Sequence, residues 1–310
     1  MSAHAQSATR NPQSEFVGTY VALVTPFGAD ELVDYAALAR MVEHVIAGGV
    51  EGIVPCGTTG EKSTLGVDEH KRVIERVVER VAGRVQVIAG SGSNDTRHAI
   101  EMTRFAREVG ADASLSEVPY YNRPTQEGLI RHYCSIAERV EIPMIVYNIP
   151  SRAGTKINAD TLLRLAQMCP WVRGVKDATK DLDFTAEVLC GRPQGFRVLS
   201  GDDSATLAIV AMGGDGVISV VANEVPRQFS EMVRLALAGQ FEPARKIYYQ
   251  LLPLIAANFL ETNPIPVKAA VAMMGLIEDR LRLPLIALSP PNREKLRRAL
   301  ADLGLIPSST

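Results

Sequence analysis

The chain has 310 residues, 46% of them hydrophobic, and a formal net charge of −2. That length can bury a large core, as one domain or two, since single α/β barrels reach about 250 residues. The basic residues are dispersed and no apolar run approaches the ~18 residues of a bilayer span, which argues against a nucleic-acid partner or a membrane.

Residues 1–14 are polar, rich in Ser and Gln and without an apolar core, which reads as a disordered tail rather than a secretory signal. Beyond them, short apolar runs alternate with longer amphipathic stretches. The runs cover 17–24, 52–56, 85–89, 113–118, 142–147, 172–176, 197–200 and 216–220. The spacing between them predicts helices over 35–47, 67–81, 96–109, 126–139, 159–168, 182–190 and 204–212. In 67–81, Val73, Val77, Val78 and Val81 form one stripe, with Arg72, Glu75, Arg76 and Glu79 outside it. Gly110, Gly174, Gly195 and Gly214 fall at the helix-to-strand returns. Alternating strands and helices imply a parallel sheet, and eight units in about 220 residues imply a closed (β/α)8 TIM barrel over 15–238. An open doubly wound sheet is the alternative, but no phosphate fingerprint follows the first strand. From about residue 226 the alternation stops. Helices over 229–238, 243–257, 265–274 and 292–303 make a C-terminal helical domain, assigned to 239–310.

The unusual residues cluster where strands end. Gly57-Thr58-Thr59-Gly60-Glu61, Pro119-Tyr120-Tyr121-Asn122-Arg123-Pro124, Tyr147-Asn148-Ile149-Pro150-Ser151-Arg152, Lys176-Asp177-Ala178-Thr179, Gly201-Asp202-Asp203 and Ile218-Ser219 all close runs. In a barrel those ends share one rim, where active sites lie. Of the eight lysines, only Lys176 directly follows a strand-like run. Burial disfavours its ammonium and exposes a nucleophilic amine able to form a Schiff base. The competing reading is a buried ion pair with Asp177 or Asp202. Tyr147 can move protons and Arg152 can hold a carboxylate through two parallel bonds.

The remaining motifs stay open on sequence alone. The Gly57–Glu61 motif can bind a small carboxylate, or simply turn the chain and cap a helix. Tyr120 and Tyr121 serve either a proton relay or aromatic packing at a subunit interface. Asp203 is placed to cap the helix at 204, and Asp202 to set the charge near Lys176. The histidines are scattered, so no metal is expected, and there is no Walker-type or dinucleotide glycine motif. Cys56, Cys134, Cys169 and Cys190 are widely spaced, with no C-x-x-C, and read as reduced thiols of a cytoplasmic protein.

Together these motifs resemble the dihydrodipicolinate synthase family, within the pyruvate-dependent Schiff-base aldolases and lyases. The resemblance spans Gly18 to about Leu305 and includes Asn263-Pro264-Ile265-Pro266-Val267-Lys268. It implies that Lys176 forms an imine with pyruvate and that no other cofactor takes part. It makes Thr58, Tyr147 and Tyr121 the proton relay, with Tyr121 reaching into a neighbouring subunit's site. Thr59 would bind the pyruvate carboxylate, Arg152 the carboxylate of aspartate semialdehyde, and the carbonyls of Gly201 and Ile218 would face the substrate. A cytoplasmic homotetramer of two tight dimers, making the precursor of diaminopimelate and lysine, is implied as well. Competing activities are cleavage of N-acetylneuraminate or of a 2-keto-3-deoxy sugar acid, and a non-catalytic barrel that binds a keto acid.

The chain departs from this family at several places. Glu117 and Val118 replace an apolar residue and a Thr, and Asp177 stands where Glu is commoner. Glu117 is a candidate mark of altered substrate choice. The resemblance also implies an effector site for lysine near Tyr120, Asn94 and His70. Lys62 stands where the resemblance implies a small residue, Val67 where it implies a His, and His98 where it implies a Glu that would pair with the effector's ammonium, so weak or absent lysine inhibition is expected.

Overall fold

Eight parallel strands close into a barrel in strict chain order in the computed structural model, which describes residues 16–307. The tail expected over 1–14 lies outside the described residues. The strands are β1 (Gly18–Ala22), β2 (Gly52–Val54), β3 (Gln86–Gly90), β4 (Ala113–Glu117), β5 (Met144–Asn148), β6 (Val172–Asp177), β7 (Arg197–Ser200) and β8 (Gly216–Ser219). The seam between β8 and β1 pairs Thr19 with Val217 and Tyr20 with Ile218.

The barrel helices are α1 (Tyr35–Ala47), α2 (Val67–Val81), α3 (Thr96–Glu108), α4 (Gln126–Arg139), α5 (Pro150–Ala153), α6 (Ala159–Met168), α7 (Leu182–Gly191), α8 (Thr206–Ala211) and α9 (Pro226–Leu237). Side chains cap several of them. Asp34 accepts from the Ala37 N–H at 2.9 Å to start α1, and Thr125 accepts from the Gly128 N–H at 3.2 Å to start α4. On α2 the buried face is His70, Val73, Ile74, Val77 and Val81. Then come α10 (Phe241–Ala257), α11 (Ile265–Met273) and α12 (Pro290–Asp302). One apolar cluster runs from Val21 and Ile53 in the barrel to Leu251, Val267 and Leu296 in these helices.

Strand alternation sorts the side chains. Tyr20, Val54, Ile88, Leu115, Ile145, Leu199 and Ile218 fill the barrel interior, while neighbouring positions pack outward on the helices. Gly110 and Gly195 have φ of +92° and +82° and turn helices back into strands as expected. Gly174 does not. It lies inside β6, where a Cβ would meet the Arg197 carbonyl at 2.5 Å.

Two further expectations are corrected. Cys134 and Cys169 form a disulfide with their Cα atoms 5.9 Å apart, because α4 packs against α6 and brings the end of α6 beside it. Wide sequence spacing concealed this contact. Cys56 and Cys190 are free, the first buried and the second exposed. Asp203 does not cap α8. The cap-like bonds come from Asp202, whose Oδ1 accepts from the backbone of Ser204 and Ala205, at 2.9 and 3.3 Å. Asp203 instead turns inward and accepts from Val220 and Val221 N–H, at 3.1 and 2.9 Å.

Candidate active site

Adjacent strands place Lys176 beside Tyr147. The two are register partners across β5 and β6, and both lie on interior positions at the C-terminal rim. The Lys176 Nζ sits 4.1 Å from the centre of the Tyr147 ring, and the lysine is only 5% exposed. Burial pushes its pKa down to about 8; Asp203 acts against this and Arg152 adds to it. Asp177 accepts from Thr179 and Thr185, and Asp202 pairs with Lys180 at 2.8 Å. Both carboxylates that the sequence offers as ion-pair partners of Lys176 are thus engaged elsewhere. Asp203, not Asp202, is the carboxylate that bears on its charge, and burial raises Asp203 to about 6.

Burial lifts the Tyr147 phenol to about 12, opposed first by a hydrogen bond with Thr58 and then by Arg152. Thr58, Tyr147 and Arg152 line one cavity of about 270 Å³, whose walls also hold Lys62, Glu117, Tyr120 and Asn263. A wider cleft of about 520 Å³ lies between α1 and α2 and contains none of the predicted site residues. Arg152 reaches the cavity from α5, a short helix with Pro150 at its start, which periodicity does not reveal. Thr59 is buried beneath, bonded to Asn263.

The segment before α11 joins these parts. The Asn263 amide donates to the Thr59 hydroxyl at 3.1 Å, and its carbonyl accepts from Arg152 Nη2 at 2.8 Å. One turn on, Lys268 is fully buried; it donates to Glu61 at 2.6 Å and to the Thr25 carbonyl at 2.9 Å. Glu61 ends the Gly57–Glu61 motif, so this buried pair ties the C-terminal helices to the threonine loop. Sequence reasoning assigns no role to Lys268 or Asn263. The signal it passes over is a lysine inside α11, a helix apolar on nearly every side.

Other predicted residues stand differently. Tyr121 is 90% exposed, with φ of +71°, and does not enter the cavity of its own chain. The Gly201 N–H bonds to the Asp177 carbonyl at 2.6 Å, and Ile218 packs inside the barrel. Asn94 donates to the Tyr120 carbonyl at 3.3 Å. His70 Nε2 lies 2.7 Å from the Gly90 carbonyl, and burial lowers its pKa to about 4. Lys62 and Glu117, the two charged departures, form an ion pair with each other. Among the described residues, no group of three or more His, Cys, Asp or Glu is placed to hold a metal, and no helix is long and apolar enough to cross a membrane.

A desolvated amine beside a tyrosine–threonine hydroxyl pair, on the C-terminal rim of a barrel, marks a lyase that works on carbonyl substrates. Residues 15–303 match the model of the Dihydrodipicolinate synthetase family, and the chain belongs to that family. It is 51% identical over 291 residues to 4-hydroxy-tetrahydrodipicolinate synthase of Methanocaldococcus jannaschii, covering 94% of this chain and all of that protein. A crystal structure of dihydrodipicolinate synthase from Aquifex aeolicus superposes with a TM-score of 0.92 at 48% identity, covering 94% of this chain and 99% of the other. A pyruvate complex of the chloride-inhibited synthase from Acinetobacter baumannii superposes with a TM-score of 0.91 at 44% identity, covering 94% and 99%.

Proposed function

We propose that this protein condenses pyruvate with L-aspartate 4-semialdehyde to give 4-hydroxy-tetrahydrodipicolinate, the entry to diaminopimelate and lysine. The observation that carries this reading is the buried amine of Lys176, pushed down to about 8 and seated on the Tyr147 ring. The free amine attacks the pyruvate keto carbon, and loss of water leaves an imine on Lys176. The hydroxyl pair of Tyr147 and Thr58 carries the protons of that step. A methyl proton of the imine then leaves, and the resulting enamine carbon attacks the aldehyde. The substrate's amino group displaces Lys176 from the imine carbon, closing the ring and returning the free amine.

Thr59 takes the pyruvate carboxylate and Arg152 that of the aldehyde. The Arg152 guanidinium at the cavity wall favours a short acidic aldehyde over a polyol. The carbonyls of Gly201 and Ile218 complete the substrate's surroundings. Beyond the two substrates this chemistry uses no other non-protein group, pyruvate being held covalently on Lys176. In this reading the protein is a homotetramer of two tight dimers, and the exposed Tyr121 joins the relay of its neighbour. The cytoplasm is assigned on the biosynthetic chemistry and not on the cysteines, two of which are paired.

The deciding assay offers pyruvate with aspartate semialdehyde in one arm and N-acetylneuraminate in the other. Turnover in the first arm is expected. Cleavage in the second, with none in the first, overturns the reading. Borohydride trapping with pyruvate separates either lyase from a protein that merely binds a keto acid.

A further inference from the structure

Glu117, Tyr147 and Lys176 stand in one row across β4, β5 and β6. Glu117 is the register partner of Tyr147, as Tyr147 is of Lys176. Neighbouring strands lie about 4.8 Å apart, so the Glu117 side chain is the lateral neighbour of the Tyr147 side chain, and both line the cavity. A lone carboxylate there is costly to bury and opposes formation of a tyrosinate. Lys62 answers that charge. It lies in the 3-10 turn 62–64 directly after the threonine loop, and its Nζ bonds to Glu117 and, at 2.9 Å, to the Gly92 carbonyl. Both side chains are about 15% exposed and line the cavity. Gly92 makes room for them, because a Cβ there would run into the Glu117 carboxylate.

We propose that Lys62 and Glu117 are a pair of positioning residues for the reaction: Lys62 neutralises Glu117 beside Tyr147 and straps the threonine loop to the end of β4. The inference rests on the condensation reading above and adds two residues to it. Of the other ionisable groups around Glu117, Arg152 of the same cavity is a cation, but its Nη2 donates to the Asn263 carbonyl at 2.8 Å, whereas Lys62 bonds Glu117 itself. His70 on α2 and His132 on α4 are both lowered to about 4 by burial, so they are neutral at pH 7, and Tyr133 on α4 is held neutral by burial. Tyr147 itself faces Thr58, Arg152 and Lys176, with Asp202 as a further, raising influence.

The test is kcat, together with the pH profile of kcat/KM for pyruvate, for wild type, K62M, K62R, E117Q and the K62M/E117Q double variant, with thermal melts alongside. An uncompensated neighbouring charge moves a pKa by roughly 1–3 units. K62M is expected to lose about tenfold or more in kcat and to move the acidic limb, which Lys176 sets near 8, up by as much as about one pH unit, because an unopposed Glu117 anion in the same row favours the ammonium. K62R keeps the limb in place, and the double variant returns both quantities most of the way to wild type. If K62M does not fold, E117Q carries the test, with the limb expected to move down as Lys62 stands unopposed. A purely structural pair predicts melting temperatures that fall in the single variants while every profile stays put, and that result overturns the proposal. Absence of condensation by the wild type fails the functional reading instead, so the two failures are distinct.

Discussion

The Lys176 ammonium lies face-on to the Tyr147 ring, 4.1 Å from its centre, and both are buried in one row of the barrel interior. Such a contact favours the charged amine, yet burial outweighs it and pushes the lysine down. The tyrosine therefore flanks the amine in either charge state and lies within reach of protons moving to and from it.

Lys176→Ala is expected to abolish borohydride trapping of pyruvate and leave the thermal melt cooperative. Mass spectrometry of the reduced wild-type adduct should place it on Lys176. Two other lysines are engaged, Lys180 with Asp202 at 2.8 Å and Lys268 with Glu61 at 2.6 Å. An adduct on either of them refutes the assignment.

Imine formation should rise with pH and level off above about 8. The sign follows from the nucleophile being the neutral amine. At pH 7 an ordinary lysine is about 0.03% neutral, whereas one near 8 is about 10% neutral, a gain of roughly 300-fold. Stopped-flow measurement of pyruvate binding across pH 6–10 reads this directly. A rate still climbing tenfold per unit between pH 9 and 10 contradicts the lowered value.

Much of this arrangement is legible in the sequence for a physical reason. Strand ends share a rim, so Lys176, Tyr147 and Thr58 converge once eight alternating units are recognised. Helices α1, α2, α4 and α6 match their expected bounds, because each is amphipathic and long enough to show its period. Contacts between distant segments leave no such trace. Nothing local to Asn263 indicates that it bonds Thr59 and Arg152, 204 and 111 residues away. The Cys134–Cys169 pairing is hidden for the same reason. Glu117 looks anomalous alone because its partner, Lys62, lies 55 residues earlier.

Arg152→Ala should chiefly raise KM for the aldehyde. A lost charge-assisted bond is worth roughly 1.5–3 kcal/mol, or at least about tenfold in kcat/KM. Arg152 also donates to the Asn263 carbonyl, so a smaller effect on pyruvate is expected through Thr59. Steady-state kinetics varying each substrate separate the two. A damaged pyruvate KM with an unchanged aldehyde KM reverses the roles of Thr59 and Arg152.

Insensitivity to millimolar lysine is the final expectation. The acidic groups that share the cavity wall with Tyr120 are Glu61 and Glu117, and Lys268 and Lys62 already pair with them. An incoming ammonium therefore meets a carboxylate that is neutralised, not a free one. His98 stands half-buried where a carboxylate is expected to receive the effector, and His70 is kept neutral by burial. One charge pair at about 4 Å contributes on the order of 4 kcal/mol at an effective dielectric near 20, before desolvation. Losing half of that weakens binding more than tenfold. Lys62 adds little net repulsion, since Glu117 cancels its charge, so the missing anion weakens binding more than the added cation does. A dose–response curve with the K62M/E117Q variant alongside wild type checks this, both remaining insensitive at about 1 mM lysine. Half-inhibition of the wild type well below that concentration refutes it, as does lysine bound beside Tyr120 in a crystal soaked at low concentration.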